Sequence, residues 1–369
     1  MTNARRRAEL PTIAGALSVT GIFALWLALH LGGDNAVRYF DDIVTALAAL
    51  FGCVACLLAG RRQCGPERRF WVLLGLALGA WTFAEVTWAV YDLVLNVAVP
   101  VPSWADVGYL GAIPLAAAAL LSHPGMRAKG SHKARATLDG LAIGTALLLL
   151  SWTFVLGPLW RHTDLSTAGG VVALAYPFGD MVILFLVLLS LRAITASGRK
   201  PLLWVLLGLF AMAVSDSTYA YLVEVGRYAT GNLVDTGWVL GYLAMAVGAS
   251  CDNGQAVVVA PAELAEDSLA SLVTPYVPVL LALSVITVKL ELHNKVDRLT
   301  WLAGFGLALL VVARQLLQLL DRRNDLFSSE PFAPELEADA PEASTVGAHP
   351  AASELVEAAP WPQFMRRLP

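Results

Sequence analysis

Two stretches of the chain put acids where acids are costly, and in the same order. The first reads A-E-V-T-W-A from Ala84 and, further on, A-D-V-G-Y-L-G from Ala105. The second reads S-D-S-T-Y-A from Ser215 and then V-D-T-G-W-V-L-G from Val234. Each joins an acid inside an apolar helix (Glu85, Asp216) to an acid at the head of the next one (Asp106, Asp235). A charge at the centre of a bilayer costs about 2.5–3.5 kcal/mol on insertion scales and by default marks a functional site. Carboxylates kept in such positions can bind a cation, carry a proton or hold an amine-bearing ligand.

The elements that must position them are membrane-spanning helices. The chain is 57% hydrophobic and 15% charged, with a mean hydropathy of +0.64, whereas soluble domains carry about 25% charged residues. Apolar residues fall in blocks of about twenty that are apolar on every face, the length needed to cross a bilayer. The expected fold is all-α and integral to the membrane, with ten spans at 11–31, 42–60, 70–92, 107–122, 137–160, 176–196, 201–223, 236–251, 272–290 and 300–320. The run following Arg5, Arg6 and Arg7 is too long for a cleavable signal peptide.

The echo extends beyond the acids. Asp42-Ile-Val opens the second span and Asp180-Met-Val the sixth; those helices close in Gly60-Arg61-Arg62 and Gly198-Arg199-Lys200, and the next open W-V-L-L-G-L at Trp71 and Trp204. Helices one to four therefore correspond to five to eight. A four-helix unit returns the chain to its starting side, so the two copies are expected to run parallel, related by an axis along the membrane normal. The organisation expected is a first repeat over 1–126, a second over 127–255, a terminal helix pair over 256–320 and an acidic, disordered cytoplasmic tail over 321–369.

Arginines and lysines set the orientation. They concentrate in the segments around 5–7, 61–69, 127–135, 192–200 and 322–323, which puts both termini on the cytoplasmic side of the plasma membrane. One conflict stands in the terminal pair, where Lys289, Lys295 and Arg298 fall outside; if one of those two helices does not span, the tail changes sides.

In this frame Glu85 and Asp216 lie about fifteen residues past the cytoplasmic start of their helices, roughly 22 Å at about 1.5 Å per residue, in the outer half of the bilayer. Asp42, Asp106, Asp180 and Asp235 are expected at the outer starts of their helices, where N-capping alone accounts for them. Aromatics including Trp88 and Tyr219 interleave with these acids; an interfacial belt is their plain reading, a binding cage the alternative. No basic residue lies at the depth of Glu85 and Asp216 in the first eight spans. They are therefore protonated, hydrogen-bonded to neighbours such as Thr82, Thr87, Thr218 or Tyr219, or open to a watery cavity.

Other chemistry lacks its residues. No phosphate-cradling loop, H-E-x-x-H or G-x-S-x-G occurs, the six histidines lack metal-ligand spacing, and no basic surface suits nucleic acid, so neither enzymatic activity nor a cofactor is expected. Cys53-x-x-Cys56 falls within an apolar helix, where small residues at a helix contact are the simpler reading. Arg314, near the cytoplasmic end of the last span, is expected to snorkel.

The stretches P-S-W-A-D-V-G-Y-L-G-A-I-P-L (102–115), S-H-P-G-M-R (122–127), L-D-G-L (138–141) and Y-P-F-G-D-M-V (176–182) carry a resemblance to a known group. The chain resembles, over about residues 10–325, the multi-helix membrane sensor region that precedes GGDEF and EAL domains in actinobacterial signalling proteins. Its end, A-R-Q-L-L-Q-L-L-D-R-R-N-D (313–325), is similar to the helix that leads toward the catalytic domains there, but only the tail follows. The resemblance implies a sensor input module relaying to a cytoplasmic signalling protein, while the apolar spans make the lipid bilayer a partner and the acids at Glu85 and Asp216 point to a small cationic ligand or proton. A proton- or cation-coupled secondary transporter and a membrane scaffold are the alternatives.

Overall fold

The computed structural model describes residues 3–123, 133–162, 164, 166–192, 199–252, 276–293 and 297–328. These residues form helices and connecting turns, and among them nine helices are long and apolar enough to cross a membrane. In chain order the helices are α1 (Asn3–Leu29), α2 (Asp34–Arg62), α3 (Gly65–Ala89), α4 (Trp104–Ser122), α5 (Lys133–Ser151), α6 (Gly157–His162), α7 (Ala168–Arg192), α8 (Arg199–Glu224), α9 (Thr236–Cys251), α10 (Tyr276–His293) and α11 (Arg298–Ser328). A π-helical turn, Val90–Val94, extends α3, and another, Trp152–Leu156, joins α5 to α6. Large apolar side chains face outward; Trp301, Leu302, Phe305 and Leu309 of α11 are each more than half exposed. Lengths and surfaces together are those of a multi-pass helical membrane protein.

The chain divides into two units, Met1–Arg322 and Arg323–Pro369. Of the expected 321–369 tail, 321–328 belong to α11 and 329–369 lie outside the described residues, as do most of the basic 123–135 and acidic 252–271 loops.

Local sequence explains where helices start. Gly32 and Gly33 take positive φ, 87° and 81°, and turn the chain into α2, whose first turn carries Asp34 against the helix dipole. Ser103 precedes α4 and donates from its backbone N–H (2.6 Å) and its hydroxyl (3.0 Å) to Asp106 three residues on, the sidedness of a capping box. Two boundaries correct the sequence reading. Helix α2 begins at Asp34 and α7 at Ala168, so Asp42 and Asp180 lie well inside helices and cap neither. The polar turns at 34–41 and the glycine-rich start at 168–170 look like loop by hydropathy, yet they are helical. The ninth expected span, 272–290, falls on α10, of which Val279–Val288 is the apolar stretch among the described residues, and α10 is not one of the nine.

Small residues let the helices approach closely. A Cβ on Gly108 of α4 would stand 2.6 Å from the Ala80 carbonyl oxygen and 2.8 Å from the Ala84 methyl of α3. In α9, Gly237 meets α8 at the corresponding Ala211 and Ser215, and Gly241 meets α8 again at Gly208. Cys53 contributes to such a contact, its sulfur 3.5 Å from the Cβ position of Gly79. Helix α2 packs against α3 and α9, while α7 packs against α4 and α8. The resulting core includes Leu74, Leu78, Leu120, Leu209 and Met245. Helices α10 and α5 pack together, and Ala142, Ala146, Leu149, Val279, Ala282 and Leu307 form a second apolar cluster among α5, α10 and α11.

Candidate functional site

Carboxylates on apolar helices need partners, and here they gather around one cavity. Its volume is about 230 Å³, roughly seven or eight waters at about 30 Å³ each. Asp41, Asp42, Glu85, Asp106, Asp180 and Asp216 all line it, and among the described residues no Lys, Arg or His does. Val99 to Val101 of the α3–α4 connection, with Tyr228 and Thr230 of the α8–α9 connection, border it, placing it toward that end of the bundle.

Glu85, from α3, is 8% exposed and accepts a 2.8 Å hydrogen bond from the Tyr242 hydroxyl of α9; Tyr109 of α4 bonds it as well. Asp216, from α8, accepts from Trp238 Nε1 at 2.7 Å. The donors are thus aromatic and come from α4 and α9. The threonines expected to serve are occupied elsewhere: Thr82, Thr87 and Thr218 each donate to a carbonyl one turn back in their own helix.

Asp106 combines its capping role with a 2.5 Å hydrogen bond from Tyr176 of α7. Asp235 sits at the head of α9 as the sequence suggests, but its side chain turns toward the preceding connection. There the backbone N–H of Gly231 donates both to Asp41 (2.8 Å) and to Asp235 (3.1 Å), and the Tyr228 hydroxyl reaches Asp235 at 3.1 Å. Gly231 has φ +91°, and a Cβ there would collide with Val37, so glycine is required for the N–H to bridge two carboxylates. Burial, reinforced by Asp235 and Asp41, holds the Tyr228 phenol well above its ordinary value, which keeps it a neutral donor.

The remaining pair, Asp42 on α2 and Asp180 on α7, share a feature. One oxygen of each, Oδ2, is buried and has no hydrogen-bond partner among the described residues. Asp42 is 6% exposed and hydrogen-bonds with Asp92, which Arg38 pairs at 2.8 Å, and Asp180 hydrogen-bonds with Asp216. Unmet acceptors of this sort cost about 1–3 kcal/mol each unless something supplies a donor.

Rings line the walls between the acids. Trp88 meets Tyr219 edge-on at 6.5 Å, and Tyr219 meets Tyr228 (4.5 Å) and Trp238 (5.7 Å). By contrast Trp104 and Tyr221 are 67% and 58% exposed and point away, as belt residues do. All the expected site residues except Asp235 therefore line the cavity, and Asp235 touches it through Tyr228 and Gly231. Sequence reasoning missed Asp41, Tyr228 and Tyr242; the tandem Asp41-Asp42 was the available signal. Among the described residues no three His, Cys, Asp or Glu side chains converge tightly enough to hold a metal ion.

A second polar cluster corrects another expectation. Arg314 of α11 does not snorkel: it is 4% exposed and ion-paired with Asp139 of α5, itself 1% exposed. Arg314 also lies over the Tyr276 ring of α10 at 4.8 Å and donates to that hydroxyl and to Gln318. Toward the start of α11, Trp152 Nε1 of the π-turn donates to Asp297 at 2.7 Å.

Comparison with known proteins finds no matching family, no similar curated protein and no similar solved structure.

Proposed function

We propose that this protein is a membrane sensor whose outward-facing cavity takes an organic cation and whose α5 and α11 relay occupancy to a cytoplasmic partner. The observation that carries the reading is the cavity wall: six carboxylates with no basic side chain among the lining residues, interleaved with aromatic faces that favour cations. Plain capping accounts for neither Asp42 nor Asp180, since both lie inside helices. In this reading the protein sits in the plasma membrane with both termini cytoplasmic, α10 provides the tenth span, and the protein acts without enzymatic chemistry.

Two parallel four-helix repeats belong to the same proposal. Supporting them, α4 meets α3 through Gly108 against Ala80 and Ala84, and α9 meets α8 through Gly237 against Ala211 and Ser215. An aromatic residue of the fourth helix serves the acid of the third in both copies, Tyr109 for Glu85 and Trp238 for Asp216. Trp88 and Tyr219, each three residues after that acid, face one another. The ligand thus lies where the copies meet.

A secondary transporter has the same repeat in its favour. Against it, Leu74, Leu78, Ala116, Ala119 and Leu120 are fully buried in the part of the bundle away from the cavity, where a polar path would have to run. Of the two places where a broken helix would favour a transporter, α7 continues unbroken through Pro177, while Gly157-Pro158 follows a π-turn, Trp152–Leu156, that joins α5 to α6 without a non-helical gap.

Thermal unfolding of the full-length protein in detergent, with and without a panel of amines and inorganic cations, tests the reading. Stabilisation by an amine, lost in the Glu85→Gln/Asp216→Asn double variant, is expected. A flat response from wild type across the panel sinks it, and amine uptake into proteoliposomes would replace the sensor by the transporter.

A further inference from the structure

Resting on the organic-cation reading of this cavity, we propose that its ligand is a linear diamine or polyamine, with one ammonium group held at the α2–α9 wall and another at the α7–α8 wall. The acids are not spread evenly. At one wall Asp41, Asp42 and Asp235 gather, the first and last sharing the Gly231 N–H. At the other, Asp180 and Asp216 are in hydrogen-bond contact. Both helices line the cavity, but α2 packs against α3 and α9 whereas α7 packs against α4 and α8, so the two sets stand on separate walls.

Each wall also lacks one donor. Asp42 Oδ2 and Asp180 Oδ2 are buried without a hydrogen-bond partner among the described residues, and both belong to side chains lining the cavity. A primary ammonium brings three N–H donors and a positive charge, enough to satisfy such an oxygen and its neighbouring carboxylate together. A quaternary ammonium has no N–H and would leave both oxygens unmet. A compact metal ion needs several ligands converging on one point, and no three of the described acids, those of the α2–α9 wall included, are placed to hold one. Between the walls, Trp88, Tyr219 and Trp238 offer faces along which methylene groups can lie. Glu85 stands in the same cavity and is a ready counter-charge for a central amine, as in a triamine.

The experiment compares 1,4-diaminobutane, spermidine, butylamine and tetramethylammonium as ligands of the full-length wild-type protein by calorimetric titration. The diamine and spermidine are expected to bind about tenfold or more tightly than butylamine, because the second ammonium binds intramolecularly. Tetramethylammonium is expected to bind most weakly. Asp42→Asn and Asp180→Asn should each bring the diamine down to the level of butylamine, while butylamine itself changes by less than about threefold, since one intact end remains. Retained butylamine binding also certifies that the variants are folded, and the chain-length comparison in wild type stands without them. Equal affinities for butylamine and the diamine overturn the two-ended site and leave the cation reading intact. Binding of tetramethylammonium as tightly as the diamine does the same. Failure of every amine to bind overturns both.

Discussion

Arg314 of α11 and Asp139 of α5, far apart in the chain, form an ion pair buried almost completely within the apolar bundle. Removing one partner strands the other charge, whereas removing both leaves an apolar contact of similar shape. Arg314→Met or Asp139→Leu alone is expected to cost about 3–5 kcal/mol, and the double variant to recover most of it. Thermal unfolding of the four proteins, as a double-mutant cycle, reads the coupling; additive losses would mean that the two side chains do not act as a pair.

Tyr242 and Glu85 should behave as a donor and its acceptor. Tyr242→Phe removes one hydroxyl and no packing volume of consequence, leaving Glu85 with Tyr109. The expected loss is about 1–3 kcal/mol. In a Glu85→Gln background, where the amide oxygen can still accept, the same change should cost less than in wild type, and in a Glu85→Leu background it should cost nothing. The three comparisons are made by chemical or thermal unfolding in the same detergent.

How far the sequence announced this arrangement depended on contrast. Glu85 and Asp216 are conspicuous because a charge interrupts a long apolar run, and their echo in Asp106 and Asp235 needs no structure to notice. Asp41, despite standing in tandem with Asp42, was passed over because hydropathy starts α2 at Asp42, whereas Gly32 and Gly33 start it two turns earlier. Tyr242 was overlooked as one more apolar residue of α9; only its partner across the bundle gives its hydroxyl a purpose. Arg314 misled for the related reason that local sequence shows a cation near a helix end but not the acid awaiting it on another helix. Periodicity reports what a helix is. It does not report which helix it meets.

His123, at the end of α4, gives a pH dependence that lies outside the spans. Burial, with its ring edge-on to Phe70 at 5.1 Å, holds the imidazole down to about 4 from an ordinary value of 6.5. The unfolded chain therefore binds the proton first as pH falls. This contribution is complete above about pH 6.5 and shrinks by about 1.4 kcal/mol per pH unit between there and about pH 4. Unfolding midpoints measured from pH 7 to pH 5 should fall more steeply in wild type than in His123→Phe; parallel curves would refute the assignment.

Gly108→Ala should be among the most damaging single-methyl additions. The new carbon meets a backbone oxygen at 2.6 Å and a methyl at 2.8 Å, neither at the end of a flexible side chain. Overpacking of this kind costs about 1–3 kcal/mol. Gly111→Ala, with open space around the same helix, serves as the control and should be close to neutral. Midpoint shifts of equal size at the two positions would argue against the tight α3–α4 contact.

The π-turn at Trp152–Leu156 gives α5 and α6 a rotational phase offset. One extra residue in a turn advances every later side chain by about 100° relative to those before it. Asp139 and Trp152, up to that turn, are thereby aimed at α11, while Leu159, beyond it, borders the acidic cavity. Gly157 is what the offset requires, because a Cβ there would strike the Trp152 carbonyl oxygen. The rod is in this sense a crank with two arms set at different angles. Relaxing the bulge into regular α-helix would turn the cavity arm against the α11 arm by about that same 100° and shift it by about 1.5 Å along the axis.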